Sequence, residues 1–343
     1  MLQGHGDDTY KYGDGLINFS SNIYTHADLS PLKAFLRDRL DVIRQYPEPE
    51  PYTLETAIAR KHGVPDACVL ATNGATEAIY FIAQMLATKG FKHYHIPQPA
   101  FNEYEDACRL FGMTEADDGI LWLCNPNNPT GTVNDVEGGM FLCPTGGKRP
   151  STDRNDESGT FIVLDQSYED FTLQPVMTAK EAVAQGNVIQ IHSLTKTYAV
   201  PGLRIGYIVA AEAVINMLRR FVRPWSVNAL AIEAGLWLLE HDFKAVNDMA
   251  VFLAETQRLR QALNTIPGIS VMPTDTCFML ATIEHRTAAE LKAYLIEKHR
   301  ILIRDASNFR GLTPHHFRVS TQLPEENDLL VEAIQQATAL QTQ

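Results

Sequence analysis

Four short apolar runs, each ending at once in a polar turn, constrain this chain more than any other feature. They lie at residues 69–71, 121–124, 161–164 and 188–192, the last carrying Gln190 and His192 among its apolar residues. Continuous apolar runs of this kind read as strands buried on both faces, the habit of parallel sheets. After the first of them Ala78, Ile79, Ile82, Met85 and Leu86 recur with the spacing of one helix face. Strand and helix in alternation specify an α/β fold. Open sheets of that class bind ligands beyond the C-terminal ends of their strands. The polar turns are therefore the place to look for chemistry.

The first turn, Thr72-Asn73-Gly74-Ala75-Thr76-Glu77, opens a helix with small residues. Backbone N–H groups there can approach an anion, and the helix dipole favours negative charge. The second, Asn125-Pro126-Asn127-Asn128-Pro129-Thr130-Gly131, is held rigid by two prolines and a glycine. The third begins with Asp165 and reaches Tyr168. The fourth carries Ser193, Thr195 and Lys196, with Arg204 a little further on. A lysine that attacks a carbonyl must first lose its proton, which needs a desolvated or cationic setting. Hydroxyls and an arginine supply the donors and charge that a phosphate needs. An amine and a phosphate clamp on one segment describe a pyridoxal phosphate site. A carboxylate at a strand end, placed against a ring nitrogen, keeps that nitrogen protonated.

The order Asn128, Asp165, Lys196, Arg204 resembles the fold-type I pyridoxal phosphate enzymes, the class I/II aminotransferase superfamily. The resemblance implies a three-layer α/β/α large domain with a mainly parallel sheet and a smaller α+β C-terminal domain. The expected division is an N-terminal arm and helix at 1–44 packing on the small domain, the cofactor-binding domain at 45–235 and the small domain at 236–343. Lys196 is the implied catalytic residue and the covalent anchor of the cofactor. Gly74, Ala75, Thr76, Ser193, Thr195 and Arg204 form the implied phosphate cup. Phe101 takes the place of a ring that stacks on the pyridine, with plain core packing as the alternative. Asn128 is matched to the ring oxygen, Asp165 to the ring nitrogen and Tyr168 to the ring hydroxyl. Tyr46, in Tyr46-Pro47, corresponds to a tyrosine that reaches the cofactor phosphate of a neighbouring subunit, so a homodimer is expected.

For the substrate, the same resemblance implies Arg318 on the α-carboxylate and Arg304 on a substrate phosphate, with Asn128, Asn22 and His5 nearby. Either arginine, taken alone, would read as an ordinary solvated strand residue. Residues 18–23, 224–228 and 304–312 resemble the threonine-phosphate decarboxylase branch, which serves cobalamin biosynthesis. Loss of CO₂ from L-threonine O-3-phosphate is the first reading. Transamination, with histidinol phosphate as the substrate, is the second, and a non-catalytic ligand-binding relative is the third. The bond that breaks is the one standing perpendicular to the cofactor ring, and the same residues serve both reactions. The chain departs from the family at 132–160, where a glycine- and proline-rich stretch replaces a helix. It is also short between Phe101 and Asn128, and it has Gln166 where relatives usually have glutamate.

Among the 343 residues, 29 basic against 41 acidic give a net charge of −12, with no dense cationic run, so a nucleic-acid partner is not expected. Five cysteines at irregular spacing suggest reduced thiols in a cytoplasmic protein and no metal site. The N-terminus lacks the pattern of a signal peptide, and no apolar run reaches the ~20 residues that cross a bilayer. Ser30 and Pro31 are expected to open a helix, as cap and first residue, striped by Leu32, Phe35, Leu36, Leu40 and Ile43.

Overall fold

The computed structural model describes residues 7–134, 136–137, 140–141 and 161–339. Seven strands form the main sheet: β1 (Val69–Thr72), β2 (His93–His95), β3 (Thr114–Glu115), β4 (Ile120–Cys124), β5 (Ile162–Asp165), β6 (Val188–Ser193) and β7 (Gly206–Val209). Their spatial order is β1-β7-β6-β5-β4-β2-β3. All neighbours run parallel except β7, which is antiparallel to both β1 and β6. The four apolar runs are thus four strands of one sheet, and the expected α/β architecture is present.

The pleat explains why those runs are largely apolar. Leu70, Ile191 and Ile208, level with one another across β1, β6 and β7, point to one face. There they meet Ile79, Ile82 and Met85 of the helix α1 (Ala75–Thr88). Ala71 and Tyr207 point the other way, onto Leu54 and Ile58 and onto Ala231 of α2 (Ala229–Glu240). Each strand buries both sets of side chains, so a polar residue in one needs a partner, as Gln190 and His192 of β6 find in Gln166 and Glu169. Gly206 is needed where β7 passes under the start of α1. A Cβ there would lie 2.6 Å from the Ala75 nitrogen and 2.7 Å from the Gly74 carbonyl carbon.

A second sheet is antiparallel and has four strands: β8 (Ile269–Val271), β9 (Phe278–Ile283), β10 (Arg304–Asp305) and β11 (His316–Ser320), in the order β8-β9-β11-β10. Met279, Phe317 and Val319 pack with Leu259, Leu263, Leu330 and Ile334 in its core. The N-terminal segment joins this core. Ile17 and Asn18 pair in parallel with Ile301 and Leu302, Ser320 N donates to the Phe19 carbonyl at 2.9 Å, and the Phe19 ring is buried with Phe317.

The first long helix corrects three expectations. It spans Ser30–Asp38 and packs on the large-sheet core, not on the second sheet: Leu32 is buried with Leu54 and Val227, and Phe35 faces Trp237. Ser30 is already inside the helix, and the Asp28 carboxylate accepts its N–H at 2.9 Å in the manner expected of a cap. The stripe also stops early. A 3₁₀ turn at Leu40–Arg44 rotates the chain, leaving Leu40 49% and Ile43 67% exposed. Of the expected loop at 132–160, residues 136–137 pair antiparallel with 140–141, and the stretch from 142 to 160 lies outside the described residues. Among the described residues no helix is long and apolar enough to cross a membrane.

Candidate active site

At the C-terminal ends of β4, β5 and β6 the chain leaves a cavity of about 700 Å³, closed on the far side by β10, β11 and the N-terminal segment. Lys196, Asp165, Asn128, Tyr168, Ser193, Thr195, Arg204, Ala75, Thr76, Phe101, Arg304 and Arg318 all line it. Residues scattered over more than half the sequence therefore converge on one space.

Lys196 sits in the single helical turn Leu194–Thr197 directly after β6. Its Nζ donates to the Ser21 carbonyl at 3.0 Å. Burial of the amine is the largest influence on it, followed by the Arg318 and Arg204 charges, and together they pull its pKa down to about 8 against the opposing pull of Asp7. The side chain still keeps part of its surface open to the cleft, so the amine is both desolvated and reachable. Two contacts tie this turn to the one after β5. Thr197 Oγ1 donates to Asp170 at 2.8 Å, and His192 Nδ1 lies 2.8 Å from Glu169 Oε1.

Asp165 ends β5 and is buried, held by two donors. The Ser167 N–H reaches Oδ1 at 2.9 Å and the Tyr104 hydroxyl reaches Oδ2 at 2.6 Å. Tyr104 was not among the residues expected here, nor was Ser167. Gln166, the departure noted in the sequence, turns away from the cleft and bonds Gln190 and the Met177 carbonyl.

Opposite lies a cationic wall. Arg304 and Arg318 stand directly across from each other on β10 and β11, 6% and 4% exposed. Arg318 donates to Asn128 Oδ1 and, at 2.7 Å, to the Ser20 carbonyl; its guanidinium lies 5.6 Å from the centre of the Phe278 ring. Arg304 donates to Asn308 Oδ1 at 2.7 Å. Burial, and then the neighbouring Arg318, lower the Arg304 pKa to about 10; burial lowers that of Arg318 as well.

Other expected residues fall outside the cavity lining. Gly74 stands behind Arg204. Asn22 is wholly buried with φ +52° and donates to the Tyr168 hydroxyl at 3.4 Å, so it braces Tyr168. Tyr46 is 84% exposed, its ring 5.1 Å from that of Trp225. His5 lies outside the described residues. Phe101 lines the cavity and meets Tyr104 edge-on at 5.7 Å. Asp7, also missed, reaches the cavity with φ +60° and accepts from Thr9 and Asn18. A further cluster unseen in the sequence sits behind the lysine turn, where ligand-type atoms of His62, Glu169 and His192 lie within 4.8 Å of one another.

A family model described as aminotransferase class I and II matches residues 14–117 and 113–334. The chain belongs to this family. The threonine-phosphate decarboxylase of Salmonella typhimurium is 33% identical over 94% of this chain and 91% of its own. A histidinol-phosphate aminotransferase of a Thermoanaerobacter species is 27% identical over 86% of this chain and 84% of its own. The crystal structure of L-threonine-O-3-phosphate decarboxylase from Porphyromonas gingivalis superposes with a TM-score of 0.83 at 36% identity, covering 94% of this chain and all of that one (100%).

As a class I/II aminotransferase relative, the chain is a pyridoxal phosphate-dependent enzyme. The cleft fits that cofactor on its own terms. A Cβ on Gly74 would lie 2.5 Å from Arg204 Nη2, so only glycine leaves that guanidinium its place beside the N-terminus of α1. The buried Ser193 and Thr195 hydroxyls lie 2.7 Å apart, adding donors to the same corner. A lysine, an ionisable carboxylate and an anion cradle thus surround one space.

Proposed function

We propose that this enzyme removes CO₂ from L-threonine O-3-phosphate. The observation that carries the proposal is the buried arginine pair. Like charges directly opposite on neighbouring strands repel, and burial raises the cost of each charge. Two anionic groups on one substrate relieve both penalties, and a phosphorylated amino acid has a carboxylate and a phosphate. Identity to the decarboxylases of Salmonella and Porphyromonas supports the reading.

In this reading Gly74, Ala75, Thr76, Ser193, Thr195 and Arg204 hold the cofactor phosphate. Asn128, Asp165 and Tyr168 meet its ring, Phe101 lies against its face, and Lys196 anchors it. Pyridoxal phosphate supplies an aldehyde for amines and a ring that withdraws electrons from the substrate's Cα. Arg304 and Arg318 orient the substrate, with Asn22 bracing Tyr168 and His5 assigned to the substrate phosphate. With Arg304 on the substrate phosphate as the anchor, the Cα–carboxylate bond would be the one that the cofactor's electron withdrawal labilises, releasing CO₂. Lys196, with its pKa near 8, returns a proton to Cα.

Transamination is the second reading: with Arg318 gripping the substrate carboxylate, the Cα–H bond would be the one labilised instead. The two separate in a single assay. Purified holoenzyme given L-threonine O-3-phosphate alone is expected to release one CO₂ per aminopropanol phosphate formed. A strict requirement for a 2-oxo acid, with no CO₂, establishes the aminotransferase.

We further propose that the expected boundaries at 45 and 236 shift to 30 and 241, so that the large domain takes in the helix Ser30–Asp38 and all of α2. The exposed rings of Tyr46 and Trp225, with Ile43 nearby in the chain, support a homodimer in which Tyr46 completes the neighbouring phosphate site. The four cysteines among the described residues are buried and free, which suits a cytoplasmic enzyme.

A further inference from the structure

The second contact on Asp165 is the one feature of the cleft that the proposed chemistry does not yet use. Tyr104 is 1% exposed and sits in the first turn of the helix α3 (Glu103–Leu110), so its backbone has little freedom. Its ring is wedged between Phe101, edge-on at 5.7 Å, and Trp122, tilted at 5.8 Å. That packing aims one hydroxyl at one atom, Asp165 Oδ2, at 2.6 Å. Burial and the adjacent carboxylate push the phenol pKa well above its ordinary value, so it remains protonated and donates. On the other side, the Ser167 N–H fixes Oδ1 at 2.9 Å.

A carboxylate offers about four lone-pair directions. With one taken on each oxygen, its rotation about the Cβ–Cγ bond is blocked, and the remaining lone pairs can be presented to the cleft. A hydrogen bond to an ionised acceptor is stronger than a neutral one, and a buried carboxylate deprived of a donor becomes a poorer anion. We infer that Tyr104 is a positioning residue, whose hydroxyl holds the Asp165 carboxylate in the orientation that grips the cofactor's ring nitrogen. The inference rests on the assignment of Asp165 to that nitrogen. It adds that part of the grip is set by a residue outside the set expected to hold the cofactor.

The test compares the affinity of apoenzyme for pyridoxal phosphate with that for its analogue in which the ring nitrogen is replaced by C–H. Binding is followed by quenching of tryptophan fluorescence, so turnover is not the readout. Wild-type protein is expected to prefer pyridoxal phosphate. Tyr104→Phe, which keeps the ring and its packing, should lower that preference about tenfold. Asp165→Asn should abolish the preference, and adding Tyr104→Phe to it should change nothing further, because both act on one contact. Near-UV circular dichroism of each apoprotein reports whether the aromatic packing survives. If Tyr104→Phe weakens both ligands equally while Asp165→Asn erases the preference, Tyr104 is packing only and the inference falls. If Asp165→Asn leaves the preference intact, the assignment of Asp165 falls, and the inference with it.

Discussion

Replacing Lys196 by alanine is expected to lower turnover by about three to four orders of magnitude, leaving a folded protein. Removing the ammonium while keeping the aliphatic stem, as in Lys196→Met, is expected to stabilise the apoprotein at neutral pH. The sign follows from where the proton is held. In the unfolded chain the amine keeps its ordinary pKa of 10.5, and in the fold burial and two arginines lower it to about 8. Between those values the unfolded state binds more protons than the folded one, so stability rises with pH through that window. Below pH 8 the folded protein carries a poorly solvated charge, and its removal is worth on the order of 2 kcal/mol, reduced by whatever water enters the cleft. The gain of Lys196→Met over wild type should therefore be largest near pH 7 and shrink towards pH 10. Urea midpoints of the two apoproteins at both pH values measure it. A variant less stable than wild type by the same margin at each pH would show that the amine is not desolvated.

Gly131→Ala should be the most damaging small substitution for stability. Gly131 has φ +79°, and a Cβ there would lie 2.1 Å from Thr274 Oγ1 and 2.5 Å from the Phe278 carbonyl oxygen. Its own carbonyl accepts from the Asp275 N–H at 2.9 Å, and the Asp275 carboxylate accepts from the Val133 N–H at 2.9 Å. This is the seam between the Asn128 turn and β9 of the second sheet. A methyl group there adds left-handed backbone strain of about 1–2 kcal/mol and forces backbone on both sides of the seam apart. We expect a loss of about 3–5 kcal/mol in all. Gly112→Ala is the matched comparison, with φ +78° and nothing within 4 Å of the added carbon; it should lose only the strain. Equal losses at the two positions would mean that the seam yields without resistance.

How much of this was legible in the sequence depends on the kind of signal. The sheet could be read because strands buried on both faces are largely apolar, as β1, β4 and β5 are, while β6 keeps Gln190 and His192 among its apolar residues. Lys196, Asp165 and Asn128 could be read because Asp165 ends such a strand and the other two lie in the turn directly after one, where backbone geometry delivers them to the cleft. Tyr104 could not. It has the look of a core aromatic, and its meaning lies in a hydroxyl meeting a carboxylate 61 positions away. The stripe from Leu32 to Ile43 misled for a local reason: the helix gives way to a 3₁₀ turn after Asp38, and the period changes with it. Its docking face was equally hidden, since an apolar stripe records that a helix is covered and not by what. Asn22 was placed by resemblance near the substrate, yet its amide faces Tyr168 because a left-handed backbone turns it inwards.

The central claim is that the amine of Lys196 carries the cofactor in a cleft faced by Asp165. Borohydride treatment of the holoenzyme, followed by proteolysis and mass spectrometry, tests it most directly. The account predicts one pyridoxyl-phosphate group per chain, on the peptide containing Lys196. A fixed group on any other lysine, such as Lys61 or Lys292, or no fixed group in protein saturated with cofactor, would contradict it.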